Sequence, residues 1–147
     1  TLSASYRPQD SDLSISEADN QQNVQGAQAC FREADYLDEE FQEARVALRC
    51  SSSDYLPVVG QVPDVGAMQE QFSELRLNAR AQVNSGGSYH PGLYLSVAHG
   101  SNGLATCPLS SEFLASLING EALPIDQAMS AALNPARFII RDLKKQR

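Results

Sequence analysis

A chain of 147 residues, 42% apolar and 20% charged, has the length of about one domain and the make-up of a packed protein, which excludes disorder throughout. No apolar run approaches the roughly 18 residues that a membrane crossing needs, and a net charge of −7 argues against general affinity for nucleic acid. No basic-then-apolar leader opens the chain, so no membrane association and a cytoplasmic location are expected.

The first residues, Leu2, Ala4 and Tyr6 alternating with Ser3 and Ser5, form a strand pattern whose abrupt start suggests a piece of a longer protein. Asp10-Ser11-Asp12 reads as a turn. Ser16 with Asp19 resembles a capping box. Beyond it Val24, Ala27 and Phe31 recur at helical spacing on an otherwise polar helix. Gly26 weakens that helix by about 1 kcal/mol relative to alanine. Asp38-Glu39-Glu40 reads as a solvated connection. From Arg45 to Cys50 the chain alternates: Val46, Leu48 and Cys50 share one face, and Arg45, Ala47 and Arg49 the other. Asp54-Tyr55 suits a tight turn into Leu56 to Val59, an apolar run expected to be buried on both faces, so a short hairpin is expected around Asp54. Pro57 and Pro63 bracket that run and argue against a regular central strand.

Asp64 can cap a short helix with Met68, Phe72 and Leu75 as its apolar stripe. Asn78 to Pro91, with Asn84-Ser85-Gly86-Gly87-Ser88, reads as a flexible loop. Leu93 to Val97 is a strand that ends in His99-Gly100-Ser101-Asn102-Gly103 and enters a helix. That helix carries Leu109, Phe113, Leu114, Leu117 and Ile118 on one side and closes at Asn119-Gly120. Asn134-Pro135 caps and begins a last helix. The order of elements gives a mixed α+β chain, with few of the crossovers an all-parallel sheet requires.

From Arg137 onward five basic residues, Arg137, Arg141, Lys144, Lys145 and Arg147, face one acid, Asp142. Such a tail suits phosphate contacts, and equally the solvated end of a C-terminal helix, where cations match the dipole. Cys30, Cys50 and Cys107 are odd in number and widely spaced. They match no zinc or redox motif and read as buried free thiols of a reducing compartment. His90 and His99 are the only histidines, with no carboxylate at metal-ligand spacing, so no metal site is expected. No G-x-S-x-G elbow and no G-x-G-x-x-G or phosphate-binding loop is present.

Two places could carry chemistry. Arg49 shares its face with the small Ala47 two residues back, leaving space in which a guanidinium can grip a carboxylate through paired hydrogen bonds. Lone strand arginines are more often surface or ion-paired residues, and the pattern alone leaves both readings open. The turn from His99 to Leu104 has two glycines, Gly100 and Gly103, at the entrance of a helix. Unpaired N–H groups there suit an anion, a phosphate or the edge of a flavin ring, although many such turns use glycine for steric reasons alone.

At these residues the chain resembles a known family. Leu48-Arg49, Ser53-Asp54 and Leu56-Pro57-Val58-Val59-Gly60, then Ala98-His99 through Asn102-Gly103 to Pro108, are similar to segments of D-amino-acid-oxidase-like FAD enzymes, among them glycine and sarcosine oxidases. Val62-Pro63-Asp64, Gly103-Leu104, Pro108-Leu109, Ala131-Ala132-Leu133-Asn134-Pro135 and Arg137 narrow the resemblance. They match the C-terminal end of the bifunctional enzymes that make 5-methylaminomethyl-2-thiouridine in tRNA.

The resemblance implies an α+β C-terminal fragment whose dinucleotide-binding unit is missing. Residues 1–63 would belong to a substrate-binding sheet region, 64–91 to a helix and flexible loop, and 92–147 to the last strand, a flavin-facing helix and a basic C-terminal helix. The implied activity is FAD-dependent oxidation of a CH–NH group, removing the carboxymethyl group of 5-carboxymethylaminomethyl-(2-thio)uridine at the tRNA wobble position. S-adenosylmethionine would serve only a methyltransferase half absent from this chain. Arg49 would hold the substrate carboxylate. His99, Gly100, Ser101, Asn102, Gly103 and Leu104 would face the flavin. Ser101 stands where glycine-oxidase-like relatives often place an arginine, which puts a second carboxylate contact in doubt. The fragment alone is expected to be inactive. Its open sheet edges make self-association plausible. Alternatives are an oxidase of free glycine-like amino acids and a non-catalytic RNA- or protein-interaction module using the basic tail.

Overall fold

A computed structural model of the chain describes residues 5–30, 44–83 and 85–145. It divides into two compact units, Thr1–Leu48 and Arg49–Arg147. In the first, Ser5 to Arg7 lie in no strand, and the rest of the expected opening strand falls outside the described residues. Asp10 and Asp12 each accept a backbone N–H two residues on, from Asp12 and Ser14, which makes the expected turn. Helix α1 spans Glu17–Cys30. It starts where the Ser16 hydroxyl accepts the Asp19 N–H at 3.3 Å. Glu17 and Asp19 suit the positive end of its dipole. Val24 and Ala27 are its buried positions. Phe31 and the acidic run at 38–40 lie outside the described residues.

The second unit holds a two-stranded antiparallel sheet, β1 (Val58–Pro63) and β2 (Tyr89–Val97). Their register runs from Val58 opposite Val97 to Gln61 opposite Tyr94, then slips so that Pro63 faces Tyr89. The extra residues of the slip lie on β2 around Pro91 and Gly92, a proline without an N–H beside a glycine at φ 70°. Gln61 Nε2 donates to the His90 carbonyl at 2.9 Å and spans the bulge. Gly60 is required by close approach: a Cβ there would lie 3.2 Å from the Pro135 ring.

Asp64 caps α2 (Val65–Gln71) by accepting the Ala67 N–H at 3.1 Å. A 3-10 turn, Ser73–Arg76, follows. Met68, Phe72 and Leu75 are buried as expected, and they join Ala136 and Leu143 in the main core. Helix α3 spans Gly103–Asn119 and packs on both strands. Its buried positions are Ser110, Phe113 and Ser116, while Leu109 and Ile118 are about half exposed. The expected leucine face is thus rotated, because small serines flanking Phe113 let the helix approach the sheet closely. A helix the sequence reading did not anticipate, α4 (Gln127–Leu133), starts at Asp126, whose carboxylate accepts the Met129 N–H at 2.7 Å. The last helix, α5, spans Arg137–Lys145. Asn134 turns the chain into it by accepting the Ala136 N–H at 2.8 Å, so regular helix begins two residues after Pro135.

Two further expectations change. Arg45 to Cys50 forms no regular strand, and the hairpin around Asp54 is not made. Ser51 pairs with His99, and Val58 with Val97. Both segments therefore line up along one partner, with residues 52–57 looped out between them. Alternation marks a segment able to pair, but a strand forms only where a neighbour takes its hydrogen bonds. The three cysteines are free, but all are exposed, so they do not pack as small core hydrophobes.

Candidate functional site

The site is built where the end of β2 leaves the sheet. Ala98, buried and at φ 61°, turns the chain out of its pairing with β1, a backbone geometry costing of order 1 kcal/mol for a non-glycine residue. His99 then bridges to Ser51 in antiparallel sense, and the Gly100 N–H donates to the Cys50 carbonyl at 3.1 Å. Gly100 has φ 55°, and a Cβ on it would sit 3.3 Å from Ser51 Oγ. Both facts favour glycine at this position.

Counting outward from the Ser51–His99 pair, Cys50 faces Gly100 and Arg49 faces Ser101. The side chains meet accordingly: Arg49 Nη1 donates to Ser101 Oγ at 2.8 Å, and both residues are exposed. Two positions singled out from separate stretches of sequence, 52 residues apart, thus meet beside the isolated Ser51–His99 bridge.

The His99 ring is occupied on both sides. Nδ1 lies 2.9 Å from Thr106 Oγ1, and Nε2 lies 3.1 Å from Ser96 Oγ. Because the Thr106 hydroxyl donates to the Asn102 carbonyl at 3.0 Å, it accepts from the ring, so Nδ1 carries the proton and Nε2 accepts from Ser96. The ring ties the end of β2 to the first turn of α3. Neither nitrogen faces outward, so His99 can reach a cofactor only through its backbone or ring edge. Neither Ser96 nor Thr106 was singled out from sequence.

The mouth of α3 is open. Asn102 makes no side-chain cap and no acid stands in the first turn, in contrast to the aspartate caps of α2 and α4. Ala105 and Thr106 N–H groups return to the Asn102 carbonyl. Those of Gly103 and Leu104 precede the first intrahelical acceptor. Leu104 is fully exposed. The donor set suits the polar, electron-accepting edge of a flavin.

Behind this edge lies an anchor. Arg137 grips Asp54 with two parallel bonds, Nε to Oδ2 at 2.9 Å and Nη2 to Oδ1 at 3.0 Å. It also donates to the carbonyls of Leu56 and Leu133. The Ser52 hydroxyl lies 2.8 Å from Asp54 Oδ1 and 2.6 Å from the Leu56 carbonyl. The Arg137 hydrogen bonds hold the Asp54 carboxyl well below its ordinary range, against an opposing effect of burial. Arg141 adds a bond to Ser53 at 3.0 Å. The Phe138 ring lies under both guanidinium groups, at 4.2 and 4.9 Å. The looped-out segment 52–57 is thereby fastened to α5, which fixes where Arg49 emerges. Two of the five tail cations are thus engaged within the chain. Nothing in the spacing of residues signals this pairing, which joins positions 83 apart.

Among the described residues no three His, Cys, Asp or Glu side chains gather as a metal site, and no helix is long and apolar enough to cross a membrane.

Residues 2–117 match the family model described as DAO, FAD dependent oxidoreductase. The tRNA 5-methylaminomethyl-2-thiouridine biosynthesis bifunctional protein MnmC of Pseudomonas aeruginosa is 40% identical over 149 aligned positions, covering 97% of this chain and 23% of that protein. The protein of the same name from Marinomonas sp. is 45% identical over 101 positions, 69% of this chain and 15% of its own length. That of Chromobacterium violaceum is 33% identical over 150 positions, 99% of this chain and 23% of its own length. The chain therefore spans less than a quarter of the length of these relatives.

Proposed function

The chain belongs to the FAD-dependent oxidoreductase family, and from that premise we propose that it is the substrate-facing C-terminal part of a longer enzyme. That enzyme removes the carboxymethyl group from 5-carboxymethylaminomethyl-(2-thio)uridine at the wobble position of tRNA, beside a methyltransferase half. The observation that carries the reading is the Arg49–Ser101 pair at the uncapped mouth of α3. A cation able to grip a carboxylate stands next to backbone donors able to face a flavin. The names of the relatives supply the tRNA substrate.

In this reading Arg49 holds the carboxylate and sets the methylene beside the secondary amine at the mouth of α3. Gly100 lets the backbone turn tightly, and the N–H groups of Gly103 and Leu104 would hold the flavin edge. Once partly buried in the longer enzyme, the helix end would favour negative charge there by up to about 2 kcal/mol. Bound FAD would supply the acceptor for the hydride leaving that methylene, after which water cleaves the resulting imine to amine and aldehyde acid. Nothing in the sequence cradles a dinucleotide, so the chain by itself would retain little FAD and show no turnover. The exposed Leu104, Tyr55 and Ile118 fit contact with the rest of a longer enzyme.

The full-length protein, loaded with FAD, tests the reading. Anaerobic addition of tRNA carrying carboxymethylaminomethyluridine should bleach the flavin, and glycine should not. Rapid bleaching by glycine and none by tRNA would instead establish a free amino-acid oxidase. Engagement of Arg137 and Arg141 on Asp54 and Ser53 weakens the remaining reading of the tail as an RNA-binding module.

A further inference from the structure

Ser101 stands beside Arg49 because the backbone puts it there. The Ser51–His99 bridge and the Gly100-to-Cys50 hydrogen bond bring the two chain segments side by side, and just beyond them the Arg49 and Ser101 side chains meet at 2.8 Å. A guanidinium carries only donors, so Ser101 Oγ must accept from Arg49 and turn its own O–H elsewhere. The nearby positive charge directs that O–H away from itself, which leaves it available to a second acceptor. A carboxylate has about four lone-pair positions and can take an arginine N–H and a serine O–H together.

On the reading of Arg49 as the carboxylate holder, we infer that Ser101 is a specificity-determining residue of the same site. Its hydroxyl orients the guanidinium and donates its proton to the substrate carboxylate. Serine performs this as a neutral group. Orienting a long side chain before the substrate arrives lowers the cost of ordering it on binding. The pair reads a carboxylate on an aminomethyl arm, and a neutral ester of the same arm offers nothing for the serine proton that water does not match.

The test compares Ser101→Ala, Ser101→Thr and Arg49→Ala in the full-length, FAD-loaded protein. The substrates are tRNA with the carboxymethylaminomethyl group and the same tRNA with that group as its methyl ester. Ser101→Ala should raise KM about tenfold with kcat changed less than about twofold, and Ser101→Thr should restore KM. The loss should vanish with the ester and in the Arg49→Ala background. A Ser101→Ala protein with unchanged KM, an equal loss with the ester, or a failed rescue by threonine would overturn the role of Ser101. If Arg49→Ala nonetheless loses the acid substrate, the carboxylate reading stands without the serine. If neither variant changes KM, both fall.

Discussion

Arg49 and Arg137 each reach across the chain to a distant residue, and the two are held in opposite ways. Arg137 is 12% exposed and meets a carboxylate squarely, with carbonyls taking further donors. Arg49 is exposed and meets a hydroxyl. A carboxylate in the fork of a guanidinium satisfies its charge and geometry at once, which is what a fastening needs. A neutral hydroxyl fixes direction without supplying a counter-charge of its own. The forked carboxylate marks Arg137 as a fastening, whereas the role proposed for Arg49 rests on its place at the mouth of α3.

The comparison breaks most clearly through stability. Arg137→Ala should cost about 3 kcal/mol in chemical unfolding of the chain, because Asp54 keeps a half-buried charge with no fork to receive it. Arg49→Ala should cost less than about 0.5 kcal/mol. Equal losses would erase the distinction drawn between the two arginines.

A smaller effect sharpens it through pH. The folded carboxyl of Asp54 titrates below its ordinary value of 3.8, so the unfolded chain takes up the proton first as the pH falls. The stabilisation is complete above the unfolded value and is lost below about pH 4, as the solution approaches the folded value. The gap in unfolding free energy between the wild type and Asp54→Asn should be of order 1–2 kcal/mol at neutral pH and should shrink under acid. A gap that is constant from pH 7 to pH 3 would mean that Asp54 does not carry the anchor.

Local chemistry was legible in sequence and long-range pairing was not. Asp64 with Met68, Phe72 and Leu75, Ser16 with Asp19, and the Asn119-Gly120 stop were readable because cap, stripe and end lie within one helix. Helix α4 had the same kind of signal in Asp126 but was not recognised. Arg45 to Cys50 alternates like a strand, yet only its end finds a partner. The Asp54–Arg137 pair spans 83 residues, and nothing in spacing reveals such a contact. Arg49 and the turn at Gly100 were both singled out, and their union through Ser101 followed only once the Ser51–His99 register was known.

The central claim is that Arg49 holds the carboxylate of an aminomethyl substrate at the mouth of α3. Steady-state kinetics of the full-length, FAD-loaded Arg49→Ala protein on tRNA bearing carboxymethylaminomethyluridine tests it most directly. The account predicts a loss of about 2–5 kcal/mol in kcat/KM, expressed chiefly in KM, with flavin content unchanged. An unaltered KM for that tRNA would contradict it.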